Sequence, residues 1–240
     1  MHKLAIIAIT GLAVSAVSLG LAANIGIHGG GNFDLSWLDD GGDCKVNHAT
    51  ATSRSFDWKD SDEVSVAVPA NLHYKPGQGT QVQVTGDPEL VSHVKVEDDG
   101  DIKLDCGHRN WRQQRVEITL PGNRTFREID LKGVGSVTLE NIDQPELEIG
   151  MAGKGDMMVS GKTDSFTIGL AGKGDIHAKD LIAQKVEINI AGHGVVETSP
   201  QDSVDISIAG HGNVKLYSEP KHVETSILGH GEVEHLAHKD

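Results

Sequence analysis

Apolar and polar residues alternate along most of this chain, and the alternation comes in two styles. From about residue 46 to 125 it is irregular in length: Val64, Val66 and Val68 alternate with Glu63, Ser65 and Ala67. The same pattern recurs at Val82/Val84, Val94/Val96, Ile102/Leu104 and Val116/Ile118/Leu120, with turn clusters YKPGQG, TGDP, EDDGD and LPGN between. Such segments predict strands with one buried face, bounded by Gly, Pro and Asp turns. No stretch shows a 3.6-residue period, so the expectation is an all-β chain.

From about residue 127 onward the alternation becomes a repeat. The phrases REIDLKGVGS, LEIGMAGKGD, FTIGLAGKGD, VEINIAGHGV, VDISIAGHGN and VETSILGHGE each end on a Gly-x-Gly step. The pairs are Gly133/Gly135, Gly153/Gly155, Gly172/Gly174, Gly192/Gly194, Gly210/Gly212 and Gly229/Gly231. The first glycines are 20, 19, 20, 18 and 19 residues apart, a near-constant period that predicts stacked repeats.

Counting from the first glycine, the residues four before are Ile129, Ile149, Ile168, Ile188, Ile206 and Thr225. Two before stand Leu131, Met151, Leu170, Ile190, Ile208 and Ile227, and four after stand Val137, Met157, Ile176, Val196, Val214 and Val233. Even offsets are apolar and odd ones mostly polar or small, as a pleated strand with one buried face requires. A lone unit cannot repay its backbone ordering entropy, so the units must stack on one another. Glycines at the bend allow close backbone approach and positive φ, so both members of each pair are expected to be turn residues, corners rather than ligand loops. The fold expected is a right-handed parallel β-helix, the hand taken from the general crossover preference. Its rungs would hold 19–20 residues, with the N-terminal strands as first coils or cap.

The AGKGD, AGKGD, AGHGV and AGHGN steps follow the block VSVAVP…QVQVTGDPELVSHVKVEDDGDIKLDC…RVEITLPG. Together they resemble the GIN domain family, the exported bacterial domain also labelled putative autotransporter adhesin head domain, over about residues 50 to 235. The resemblance implies a β-helix in the cell envelope and a non-enzymatic, adhesin-like binding or scaffolding role. It brings no catalytic residues.

The opening MHKLAIIAITGLAVSAVSLGLAA has one lysine followed by an apolar run, which predicts an export signal over residues 1–23. An uncleaved N-terminal anchor is the alternative, because the run just reaches a bilayer-spanning length of about 20 residues. Residues 24–45 are Gly- and Asp-rich and read as a flexible linker, leaving 46–240 as one domain. Export places the chain in the periplasm or on the surface of a bacterium. There, Cys44 and Cys106, the two cysteines, are expected to bridge. Closing a loop of about 60 residues is worth about 4 kcal/mol in the chain-entropy model.

The formal net charge of −14 argues against nucleic acid as a partner and leaves membrane contact to the N-terminal segment if it stays uncleaved. The partner expected is a surface ligand, a glycan or an envelope protein. No cofactor is expected, with one exception to weigh. Between the paired glycines stands a row: Val134, Lys154, Lys173, His193, His211, His230. In a parallel stack these lie about 4.8 Å apart, so His193, His211 and His230 are candidate ligands for a divalent metal, with Glu232 able to add an oxygen. Against this, a turn row tolerates solvated His and Lys, and no supporting outer shell is visible.

Lys154 with Asp156 and Lys173 with Asp175 offset like charge within the row. GKGD fails as a calcium repeat because Val195, Asn213 and Glu232 replace the aspartate and the period is too long. SGKT at 160–163 lacks both the leading glycine and the following helix of a phosphate loop. Trp58 and Trp111 fit core or cap positions better than a sugar-stacking platform. A polysaccharide-active enzyme is the competing function. It would need acids converging in a groove, whereas here Asp and Glu are spread over every turn.

Overall fold

The structure, a computed structural model, describes residues 48–106 and 114–236. Residues 1–23, expected to be an export segment, residues 24–45, expected to be a linker, and Cys44 and Trp111 all lie outside them. Among the described residues, no helix is long and apolar enough to cross a membrane.

The alternating segments form the strands their pattern predicts. These are β1 (Ser53–Asp57), β2 (Glu63–Val66), β3 (Ala70–Tyr74), β4 (Gln81–Gly86), β5 (Val94–Val96), β6 (Asp101–Leu104) and β7 (Val116–Thr119). A very long extended stretch, β8 (Glu128–Leu216), then carries five of the six Gly-x-Gly steps, followed by β9 (His222–Gly229) and β10 (Glu232–His235). One helical turn interrupts them, α1 (Pro88–His93), capped by the Asp87 carboxylate, which accepts from the Glu89 and Leu90 amides. Pro88 at its first position suits the fixed φ of proline, and its missing N–H would have had no partner there.

The strands join one ten-stranded sheet in the order β1-β4-β7-β3-β8-β2-β6-β5, with β9 and β10 also pairing with β8. Here the expectation of a right-handed parallel β-helix is corrected. The ladders β1–β4, β4–β7 and β5–β6 are antiparallel, while β2–β6, β2–β8, β3–β7, β3–β8, β8–β9 and β8–β10 are parallel. The architecture is all-β, a nearly closed barrel of mixed strand orientation. The physical reason lies in the connections. In the N-terminal block, tight Gly/Asp turns such as EDDGD between β5 and β6 fold a strand back on its neighbour, and that forces antiparallel pairing. The glycine repeats contain no such reversal, and they meet their neighbours in parallel.

The two glycines of each pair differ in conformation. Gly133, Gly153, Gly172, Gly192, Gly210 and Gly229, the first of each pair, all have positive φ. The second glycines, Gly135, Gly155, Gly174, Gly194, Gly212 and Gly231, do not. The first five of these continue the extended backbone of β8, and Gly231 lies between β9 and β10. One positive-φ residue per step suffices to bend the chain, and β8 runs on through the five steps it contains.

Parallel contact between repeats runs the length of the molecule. Val64 and Val66 of β2 pair with Ile129 and Leu131, and Val204, Ile206 and Ile208 pair with Val223, Thr225 and Ile227 of β9. The residues at even offsets, from Ile129 to Ile208 and from Val137 to Val214, are all buried. The last repeat breaks this rule: Val223, Thr225 and Ile227 are exposed, because nothing among the described residues stacks beyond them.

At the N-terminal end an aromatic cluster closes the core. Phe126 meets Trp58 edge-on at 5.3 Å and Tyr74 at 5.2 Å. Both polar tips are satisfied: Trp58 Nε1 donates to Ser61 O (2.8 Å) and Tyr74 Oη to Arg124 O (2.7 Å). Trp58 is thus a core residue, not a stacking platform for sugars.

Candidate functional site

The Gly-x-Gly step sets up the outward surface. Gly153 sits at φ +148°, and a Cβ there would also lie 2.0 Å from Gly133 O. At the second glycine the constraint is contact alone. A Cβ at Gly155 would lie 2.1 Å from Gly135 O, and one at Gly194 would lie 1.9 Å from Gly174 O. Toward the end of the stack this contact loosens. At Gly212 the nearest atom is Ile190 Cγ2 at 3.0 Å, and at Gly231 it is Ile208 Cδ1 at 3.0 Å, with Gly212 O at 3.1 Å. Backbone therefore rests on backbone through Gly194, whereas Gly212 and Gly231 cover isoleucine side chains. The side chain between the glycines has nowhere to go but outward.

That side chain is exposed at Lys154, Lys173, His193, His211 and His230. The row predicted from the period is therefore a physical column. His193 and His211 stack face to face, centroids 4.7 Å apart and planes 9° from parallel, and His230 meets His211 edge-on at 5.1 Å. Imidazole lone pairs lie in the ring plane, so stacked rings direct them side by side rather than toward a common ion.

Among the described residues, the group that brings three ligand atoms within 4.8 Å of one another lies elsewhere: His93, Asp105 and Cys106. Its members are already engaged. Cys106 is in a disulfide, and its expected partner Cys44 lies outside the described residues. His93 Nδ1 is 2.8 Å from Asp105 Oδ1, and Lys95 Nζ is 3.4 Å from the same carboxylate. Burial pushes the Asp105 carboxyl up, but these two partners outweigh it and hold the group below its usual value. A disulfide sulfur is no thiolate, so this cluster reads as a clamp on the chain beside α1 rather than a metal site.

A second row was not anticipated from the sequence. Five residues before each first glycine stand Glu128, Glu148, Thr167, Glu187, Asp205 and Glu224, with Glu63 of β2 paired to Glu128. This acidic ladder runs alongside the Lys/His column. Its lower end is crowded. Arg127 bridges Asp62 (3.6 Å), Glu63, Glu128 (3.3 Å) and Glu148 (4.0 Å). Asp130 packs into the space left by Gly150, where a Cβ would lie 2.0 Å from Asp130 Oδ1.

Burial, with Asp130, Glu148 and Glu63 beside it, pushes the Glu128 carboxyl up to about 7, against the pull of Arg127. Burial raises Asp130 as well. Burial and Asp130 raise Glu148, and burial with Glu187 and Glu224 raises Asp205. The signal was available, because offset five before the glycine reads Glu, Glu, Thr, Glu, Asp, Glu. Read turn by turn, without that register, the acids look scattered.

Between the two rows lie short side chains. Three before the glycine come Gly150, Gly169, Asn189 and Ser207, and one before come Ala152, Ala171, Ala191 and Ala209. The repeats at Gly153, Gly192 and Gly210 thus present an acid, two short side chains, then lysine or histidine, and the repeat at Gly172 differs only by Thr167 in the acid's place. Stacked in register, this makes a low strip edged by negative charge on one side and by cations and imidazoles on the other.

A third row crosses the repeats on the far side of the corner. Glu197 takes His177 Nδ1 at 2.8 Å, Tyr217 Oη at 3.2 Å and Lys215 Nζ at 3.7 Å, and His177 chiefly holds its carboxyl low. Glu197 is saturated by these partners, and the row ties neighbouring repeats together.

Residues 60–220 match the family described as putative auto-transporter adhesin, head GIN domain. The chain is a GIN domain protein. Among solved structures, a putative adhesin from Bacteroides fragilis is similar at TM-score 0.59 and 23% identity, over 76% of this chain and 95% of that one. That likeness extends to the fold. A putative adhesin from Parabacteroides distasonis aligns at TM-score 0.45 and 20% identity, covering 77% and 96% of the two chains. A putative lipid binding protein of the same species aligns at 0.43 and 19%, covering 76% and 95%. No curated protein matches the GIN domain chain.

Proposed function

We propose that this GIN domain protein is a non-enzymatic, exported binding module of the bacterial envelope. Its long flank, edged by the acidic ladder and the Lys/His column, takes a surface ligand, a glycan in preference to an envelope protein. The observation that carries this reading is the repetition of chemistry in register. Glu148/Lys154, Glu187/His193 and Asp205/His211 each flank the same small-residue strip. A repeating surface suits a repeating ligand, because each added unit of a polymer meets the same groups as the last and weak contacts accumulate by multivalency. Adhesin-like relatives of the same fold family support a binding role.

The test is a glycan array probed with the wild-type chain and with a variant carrying alanine at Lys154, Lys173, His193, His211 and His230, alongside a reducing-sugar assay. Binding to a defined glycan class, lost in the variant and unaccompanied by new reducing ends, is the expected result. Release of reducing ends from any polysaccharide would overturn the non-enzymatic reading in favour of a polysaccharide-active enzyme.

A further inference from the structure

The end of the stack at β9 differs from every other part of the molecule. Its inner edge pairs in parallel with residues 203–210 of β8, and among the described residues nothing pairs with its outer edge. All eight residues are exposed. The positions that are buried in earlier repeats stand open, with Val223 40% and Ile227 42% exposed. Leu228, 69% exposed, replaces the alanine that every repeat from Ala152 to Ala209 places before the glycine. A long edge strand is usually blunted by lysine, proline or a bulge within it. The eight residues HVETSILG contain neither lysine nor proline, and their one acid is Glu224.

We propose that β9 is a self-association edge, pairing antiparallel with β9 of a second copy of this chain about a two-fold axis at Thr225. The register follows from the sequence of the strand. With Thr225 opposite Thr225 of the partner subunit, Val223 lies opposite the partner's Ile227 on the core side. On the other side, Glu224 lies opposite the partner's Ser226 and His222 opposite the partner's Leu228. Apolar core positions thus meet each other and no like charges face across the pair. Shifting the register by one residue would set core-side residues against outward ones. An isologous contact of this kind closes on itself and leaves no further edge. Charge tolerates this pairing: the one acid of β9, Glu224, faces the partner's Ser226 in this register rather than another carboxylate. The contact continues the core of one copy into the other, and the lateral flank stays free for its ligand.

The experiment uses the chain purified from the envelope of producing cells, with sedimentation velocity across a concentration series. A monomer–dimer equilibrium is expected. Ile227→Lys, at a position already open to water, weakens it at least tenfold while the circular dichroism of the monomer stays unchanged. The register is tested separately. Directly opposite residues have Cβ atoms about 4.5–5.5 Å apart, close to the roughly 3.5–4.5 Å that a disulfide spans. Thr225→Cys therefore gives a covalent dimer under mild oxidation, whereas Ser226→Cys does not. A monomer at every concentration, or a dimer that neither Ile227→Lys weakens nor Thr225→Cys traps, would overturn the proposal. Both results are independent of whether any glycan binds.

Discussion

Replacing Glu128 with glutamine should make the protein more stable at neutral pH and leave it little changed in acid. Glu128 stands in the acidic ladder with Glu63 beside it on β2 and Asp130 and Glu148 close by, and its carboxyl is pushed from 4.5 up to about 7, chiefly by burial. The folded state therefore holds the proton more tightly than the unfolded chain does. Between about pH 4.5 and 7 the folded state binds more protons, so its stability falls as pH rises through that window. The stabilisation is fully present below about 4.5 and gone above about 7. Each pH unit of displacement is worth about 1.4 kcal/mol, which sets a ceiling near 3.4 kcal/mol. The side chain is only half-buried, and solvent screening reduces the expected figure to roughly 1–2 kcal/mol.

Glutamine keeps the shape of Glu128 and never ionises. It also leaves Arg127 with Asp62, Glu63 and Glu148, so no charge is stranded. Urea unfolding of both proteins from pH 4 to 8 gives the curve to examine. The variant-minus-wild-type stability should climb by roughly 1–2 kcal/mol between pH 4.5 and 7 and be flat above. The self-repulsion of an acidic chain affects both proteins almost alike and largely drops out of the difference. A difference independent of pH, or one that falls as pH rises, would refute the assignment of strain to this carboxyl.

Two further substitutions test the packing between repeats. Thr198 is fully buried and its hydroxyl has no hydrogen-bond partner. Thr198→Val should raise stability by about 1 kcal/mol in thermal or urea unfolding, because it removes an unsatisfied polar group at constant shape. At Gly174 a Cβ would lie 2.0 Å from Gly155 O and 2.6 Å from Met151 Sδ, so Gly174→Ala should cost more than about 2 kcal/mol by overpacking. Gly169→Ala is the control, since its Cβ would approach nothing closer than Ile149 O at 3.9 Å, and equal losses at the two glycines would discredit the stacking geometry.

How far the sequence foretold this structure depends on which interactions decide each feature. Which residues face the core was legible because a two-residue period admits only two choices. Ile129, Ile149, Ile168, Ile188 and Ile206 all lie on the buried side that their spacing implies. Strand orientation in the N-terminal block was not, because alternation looks the same in a parallel and an antiparallel ladder. The EDDGD turn between β5 and β6 carried the information, as a reversal, and it outranks any resemblance to the repeats that follow. The paired glycines were legible only as pairs. Their spacing does not say that Gly192 bends the chain while Gly194 merely makes room for the backbone of the preceding repeat. The helix Pro88–His93 is too short to show a period, and its only cue is the Asp-Pro cap before an acidic first turn.

The outward rows show a different limit. Positions facing the core are fixed by folding, so their identities repeat and announce themselves. Positions facing water are released from that constraint, and their meaning emerges only when repeats are laid in register. The ladder Glu128, Glu148, Glu187, Asp205, Glu224 means little in any single repeat and is continuous across the stack, save at Thr167. The histidines illustrate the complementary case. The period placed His193, His211 and His230 in one column, but whether three imidazoles converge on an ion or stack depends on side-chain torsions that no spacing encodes. Here the His193 and His211 rings lie 9° from parallel, and His230 meets His211 edge-on. A column of lysines and histidines beside a strip of alanines offers a repeated surface. That is why the binding reading rests on the register of the rows and not on any one residue within them.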